Sequence, residues 1–150
     1  MDMNEAASSD GIEPTAPRRR LLGAATVYFL IVFGAGLLMG PLRVLWLEPV
    51  LGPFLAVLCE APLLILAMWI AAGVAPRVAG LDAGLSAHFV LGVLALMFQL
   101  VADVAVGFGL RGMVLQDQLA YFGTPAGWVY VVSLVVFALM PAFRRWRAVS

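Results

Sequence analysis

The sequence predicts an all-α fold, a four-helix transmembrane bundle preceded by a disordered N-terminal tail. The chain has 150 residues, of which 63% are hydrophobic and 12% are charged, and its mean hydropathy is +1.01. A water-soluble domain of this size needs a more polar exterior than such a composition supplies. Most of the hydrophobic residues fall in four stretches, each about as long as a helix that crosses a hydrocarbon core of roughly 30 Å.

The N-terminal residues 1–17 are polar, acidic and rich in small side chains. Because such a segment buries too little apolar surface to offset the entropy of ordering it, we predict a disordered acidic tail. The remaining residues, 18–147, form the predicted membrane domain. Proline, glycine and capping residues bound the predicted spans. These spans cover about residues 21–40, 54–74, 87–110 and 125–143.

The first apolar stretch leaves a second interpretation open, because it follows Arg18, Arg19 and Arg20 as the core of a secretory signal would. The stretch from Leu21 to Gly40 contains large side chains throughout and no A-x-A cleavage site. Its length fits a membrane span better than the shorter core of a signal peptide. We therefore expect an uncleaved helix.

The distribution of arginine predicts the topology. If both termini lie on one side, that side holds seven of the nine arginines, and cytoplasmic segments are rich in Arg and Lys. We therefore expect a multi-pass membrane protein with both termini in the cytoplasm. The seven are Arg18, Arg19, Arg20, Arg77, Arg144, Arg145 and Arg147, and the other two are Arg43 and Arg111.

Two acidic residues, Glu60 and Asp103, lie inside predicted spans. Each is about 9–10 Å from the outer end of its helix at 1.5 Å per residue, so both have a similar depth. Gln99 is one helical turn from Asp103 and shares its face. A carboxylate costs a few kcal/mol or more in hydrocarbon, so such residues have partners or functional roles.

Arg43 and Arg111 are placed to reach these carboxylates from the outer side. We therefore predict an intramembrane polar cluster of Arg43, Glu60, Gln99, Asp103 and Arg111. One interpretation is a structural ion pair, such as Arg43 with Glu60 or Arg111 with Asp103. The other is a pair of carboxylates that share a proton or bind a cation, since close like charges raise one pKa strongly.

Gly36 and Gly40 form a GxxxG pattern near the end of the first span. This spacing allows close helix contact, either within the chain or between two chains. We therefore regard the two glycines as candidate helix-contact residues.

Several classes of site are excluded or unsupported. The single Cys59 and single His88 cannot form a disulfide or a histidine-rich metal site within one chain. The sequence contains no GxSxG, P-loop, GxGxxG or HExxH motif. The nine positive and nine negative residues give no net charge. The overall charge therefore does not indicate nucleic-acid binding. We therefore expect no metal and no cofactor, and the lipid bilayer as the main partner.

The stretch from Gly34 to Ala72, GAGLLMGPLRVLWLEPVLGPFLAVLCEAPLLILAMWIAA, resembles a family of uncharacterised small four-helix bacterial integral membrane proteins. The later LRG at 110–112 and the FALMP at 137–141 also fit this resemblance, which covers about residues 21–143. It implies four helices and an inner-membrane location, and it supplies no mechanism.

Glu60 with Pro62 near the start of the second span resembles the membrane-associated glutathione and eicosanoid enzymes, which are also four-helix proteins. That family carries an N-x-x-E-x-x-P pattern. Here Val57 stands at the Asn position and Leu63 at the Pro position, with the proline one residue early. The resemblance would imply a glutathione site. Val57 and Leu63 are the positions at which this chain departs from the family's pattern.

Three hypotheses for function follow. The first is a structural or accessory membrane component that contacts another membrane protein or a second copy of itself. The second is a small ion- or proton-coupled transport component that uses Glu60 and Asp103. The third is a membrane enzyme acting on a lipophilic substrate, which we rank last because no nucleophile and base pair is visible.

Overall fold

The computed structural model describes residues 15–109, 112 and 114–150. These residues form helices and short connections and contain no strand, so the predicted all-α class is confirmed for the described part of the chain. A π-helical turn, Arg43–Leu47, joins α1 to α2. The α-helices are α1 (Thr15–Leu42), α2 (Glu48–Val78), α3 (Leu85–Gly109), α4 (Leu115–Tyr121) and α5 (Pro125–Val149).

Most of the predicted tail, residues 1–14, lies outside the described residues. Its last three residues belong to α1, which begins at Thr15 rather than at residue 21. The other long helices also extend beyond the predicted spans at one or both ends. In α3 the helix starts at Leu85, two residues before the predicted start of the third span, so Ser86 lies inside the first turn.

Four long helices pack side by side. α1 packs against α2 and α3, and α5 packs against the same two helices. The pairs α2–α3 and α1–α5 are therefore the diagonals of the arrangement. Arg20 near the start of α1 donates a 3.4 Å hydrogen bond to the carbonyl of Gly80, just beyond the end of α2, so these two helices run antiparallel.

The reversal between α1 and α2 takes place over residues 42–53. Helical hydrogen bonding runs through the π-helical turn into α2, but Gly52 has φ 80° and ψ 163°. Glycine is essentially the only residue that adopts this backbone conformation. Pro53 follows it and is pre-organised for the first turn of a helix, so the straight part of α2 begins there.

The interior of the bundle is made mainly of small side chains. The fully buried residues include Ala24, Ala25, Ala71 and Ala75, together with a few larger side chains such as Tyr28, Leu91 and Phe137. Small residues let helix backbones approach closely, as membrane helices do. A Cβ on Gly92 would overlap the carbonyl of Ala138, so α3 and α5 are in backbone contact at this point.

Most of the large apolar side chains point outward. In the most apolar windows of the long helical stretches, only 22%, 17% and 33% of the residues are buried. Exposed apolar surface of this extent needs a lipid or protein environment. The outward-facing side chains include Leu30, Leu38, Leu66, Val101, Trp128 and Val132.

Three helical stretches in the described residues are long and apolar enough to cross a membrane. They are Pro17–Val78, Leu85–Gly109 and Pro125–Val149. The first has 62 residues and consists of α1 from Pro17 onward, the π-helical turn and α2. It turns back on itself, so the three stretches contain all four helices that the sequence predicts as spans.

Candidate functional site

The π-helical turn places Arg43 beside two carboxylates. Pro49 has no N–H to give to the carbonyl of Leu45, so a regular α-helix cannot continue unbroken here. Instead, the backbone N–H of Glu48 bonds to the carbonyl of Arg43, five residues earlier. The Arg43 Nε also donates a 3.2 Å hydrogen bond to Glu48 Oε1, so backbone and side chain join the same two residues.

Glu60 in α2 is the more deeply buried of the two carboxylates. Arg43 Nη1 donates to Glu60 Oε2 at 3.0 Å. The Glu60 side chain is 6% exposed, compared with 30% for Glu48. One arginine thus binds a buried and a more accessible carboxylate, and the three side chains together carry a formal charge of −1.

Asp103 in α3 lies in a second polar cluster. Gln99 Nε2, one turn earlier on the same helix, donates a 2.8 Å hydrogen bond to Asp103 Oδ1. The hydroxyl of Tyr130 in α5 donates to Asp103 Oδ2, which links α3 to α5. The Oε1 atom of Gln99 is buried and has no hydrogen-bond partner among the described residues.

The structure divides the predicted cluster into two parts. Arg43 contacts Glu60 on α2, and Gln99 contacts Asp103 on α3. α2 and α3 are diagonal partners in the bundle. Within the described ranges, no hydrogen bond or ion pair connects Glu60 to Asp103. Arg111 lies outside the described residues.

Two members of these clusters were missed by the sequence analysis. Tyr130 was not singled out, although a tyrosine inside an apolar helix needs a partner for its hydroxyl. Thr124 Oγ1 accepts a 3.1 Å hydrogen bond from Gly127 N, and this cap fixes the start of α5. Tyr130 lies about one and a half turns further along the same helix. Glu48 lies between the first two predicted spans, and nothing in the sequence indicated its contact with Arg43. That contact depends on the π-helical turn.

The candidate helix-contact glycines, Gly36 and Gly40, are not in close contact with another helix in the part of the chain that the structure describes. A Cβ built on Gly36 or Gly40 would meet no atom within 4 Å among the described residues. A contact between two copies of the chain remains a hypothesis for this pair.

Comparison with protein-family models, with curated proteins and with solved structures gave no match. The class of the protein therefore follows from its own fold and surface. It is an all-helical protein whose long apolar helices suit a membrane and whose polar groups are gathered in small internal clusters.

Proposed function

We propose that this protein is a structural or accessory component of a bacterial inner membrane, with four membrane-spanning helices and both termini in the cytoplasm. The observation that carries the proposal is the set of partners around the two intramembrane acids. Glu60 is bound by Arg43, and Asp103 is bound by Gln99 and Tyr130. Polar groups that bond across helices in this way hold membrane bundles together.

The contacts of the acids also join parts of the chain that are distant in sequence. The Arg43–Glu60 pair links the reversal between α1 and α2 to the body of α2, and the Tyr130–Asp103 bond links α5 to α3. The exposed apolar faces of the helices are then free to contact lipid, another membrane protein or a second copy. Both features fit a packing role better than a chemical one.

The stability of two neutralised variants tests this role. Glu60→Gln and Asp103→Asn keep the side-chain shapes but weaken charged hydrogen bonds, which are worth about 1.5–3 kcal/mol each. We expect both to lower the thermal midpoint of the purified protein in detergent. Glu48→Gln is the matched control, because it removes a carboxylate from the same arginine at a more exposed position.

A flux measurement separates this role from transport. The observation in support of a proton-coupled component is that two carboxylates, Glu48 and Glu60, share one arginine. In vesicles with an internal pH dye, we expect the wild-type protein to pass protons no faster than empty vesicles. Flux that is present in the wild type and lost in the Glu60→Gln/Asp103→Asn double variant would overturn the structural proposal.

The proposed orientation is tested by cysteine labelling. Cys59 is the only cysteine, so a Cys59→Ser background accepts single reporters. Ser150→Cys and Val114→Cys lie at exposed positions at opposite ends of the bundle. In intact spheroplasts, a membrane-impermeant maleimide should label the Val114→Cys variant, and it should label the Ser150→Cys variant only after permeabilisation. Labelling of both variants from the same side of the membrane would contradict the proposed arrangement of four membrane-spanning helices.

A further inference from the structure

An open cleft of about 410 Å³ lies at the end of the bundle that is opposite Glu60 and Asp103. It is bounded by the C-terminal parts of α2 and α5 and the start of α3. Its polar lining consists of Arg77, Asp82, His88, Arg144 and Arg145. The volume falls in the range of small-molecule sites, roughly 300–1,000 Å³.

The charge of this lining is strongly asymmetric. Arg77, Arg144 and Arg145 face a single acid, Asp82. In the part of the chain that the structure describes, neither a salt bridge nor a carboxylate hydrogen bond involves any of these arginines. Arg43, by contrast, binds two carboxylates. Positive charge that is gathered in a cleft and faces only one acid among the described residues attracts an anion.

The position of Arg144 is set by groups that leave its charge uncompensated. Its Nη1 donates to the backbone carbonyl of Trp69, and its guanidinium carbon lies 5.0 Å from the centroid of the Trp69 ring. A Cβ on Gly73 would overlap the guanidinium, so glycine is what allows Arg144 to lie against α2. The guanidinium is thereby oriented, and it keeps donors for a further acceptor because arginine has five N–H groups.

With the helices spanning a bilayer as proposed above, the cleft lies at the level of the membrane surface. It adjoins Trp69, which contacts Arg144, and the exposed Trp146 is two residues after Arg144 in α5, as expected for aromatic residues at an interface. Guanidinium groups bind phosphate through paired, charge-assisted hydrogen bonds. We propose that this cleft binds a phosphate group, presented by the headgroup of an anionic phospholipid or by free phosphate, through Arg77, Arg144 and Arg145.

Lipid binding by the full-length protein tests the proposal. Native mass spectrometry of the detergent-solubilised protein would count retained phosphatidylglycerol, phosphatidylcholine and inorganic phosphate in separate titrations. We expect phosphatidylglycerol to bind more tightly than phosphatidylcholine. Arg77→Gln and Arg145→Gln should each weaken this binding about fivefold, the contribution of one basic residue near an anionic surface.

Two further variants make the test specific to the cleft. Gly73→Ala leaves every charge in place but displaces the end of the flexible Arg144 side chain, and it should weaken binding by a similar factor. Arg147→Gln removes one charge from the same end of α5 at an exposed residue that does not line the cleft. It should change the affinity less than twofold.

The outcomes separate the sources of phosphate. Selective retention of phosphatidylglycerol that depends on the cleft variants supports a lipid headgroup. Saturable binding of inorganic phosphate with the same dependence, and no preference among lipids, supports free phosphate as the ligand. Equal losses in Arg147→Gln and Arg145→Gln, or no preference for either phosphate source in the wild type, would overturn the proposal.

Discussion

The hydroxyl of Tyr28 in α1 donates a 2.7 Å hydrogen bond to the backbone carbonyl of Phe137 in α5. In a regular helix this carbonyl would accept from the N–H four residues later, but residue 141 is a proline and has none. The two rings also stack, with centroids 4.7 Å apart. Tyr28 therefore supplies, across the diagonal of the bundle, the donor that Pro141 removes.

Removal of the Tyr28 hydroxyl should destabilise the bundle through the stranded carbonyl. We expect Tyr28→Phe to lower the free energy of unfolding by about 1–3 kcal/mol, the cost of an unsatisfied buried group. Pro141→Ala restores an N–H for the same carbonyl. A double-mutant cycle in an SDS unfolding titration should therefore show a smaller loss for Tyr28→Phe in the Pro141→Ala background. Equal losses in both backgrounds would show that the Tyr28 hydroxyl does not compensate for the N–H that Pro141 lacks.

Gly52 should be intolerant of a side chain, although it has open space around it. Its φ of 80° and ψ of 163° are strained for any other residue, so Gly52→Ala should cost about 1–3 kcal/mol of unfolding free energy. Gly36→Ala is the control, because Gly36 also has open space but lies inside α1 and shows no positive φ. That change should be neutral or slightly stabilising. A similar effect of both substitutions would argue against strain at the reversal.

Loss of Arg43 should be more harmful than loss of the acid it binds. Arg43→Gln leaves Glu60 buried without its cation, a situation that costs about 3–5 kcal/mol when one member of a buried pair is removed. Adding Glu60→Gln removes the stranded charge, so the double variant should be more stable than Arg43→Gln alone. The thermal midpoints of the four proteins in detergent would measure this. A double variant that is less stable than Arg43→Gln would contradict the ion pair.

Tyr130 should contribute more to stability than its neighbour Ser133. Tyr130→Phe removes a hydrogen bond to a carboxylate, worth about 1.5–3 kcal/mol. Ser133 bonds only to the carbonyl of Val129 in its own helix, among the described residues, so Ser133→Ala should change stability by less than about 0.5 kcal/mol. Unfolding of the two variants in SDS gives the comparison. The effect of Tyr130→Phe should also shrink in an Asp103→Asn background.

The long helices could be predicted from the sequence because apolar length alone identifies them. Glu60 and Asp103 could be found for the same reason, since a charge stands out in an apolar stretch. Their grouping could not be predicted. The sequence placed Glu60 and Asp103 at one depth, but whether they meet depends on which helices are diagonal, and that is decided by packing.

The cleft and the role of Tyr28 were also beyond sequence reasoning. The arginine-rich end of α5 was visible as a charge cluster, but only the fold brings Arg77 of α2 and His88 of α3 beside it. The carbonyl freed by Pro141 could be counted from the sequence. Its donor comes from a residue 109 positions away, and no local pattern identifies such a partner.

The contact between Arg43 and Glu60 also bears on the order in which the protein is made. Both residues belong to the hairpin of α1 and α2, so a nascent chain that has emerged as far as Val78 already contains the cation and the anion. The hairpin can then enter the bilayer with Glu60 already bound to its cation, before the ribosome has reached α3. The Tyr130–Asp103 bond differs, because Tyr130 is synthesised 27 residues after Asp103, so this bond forms only once α5 has been made.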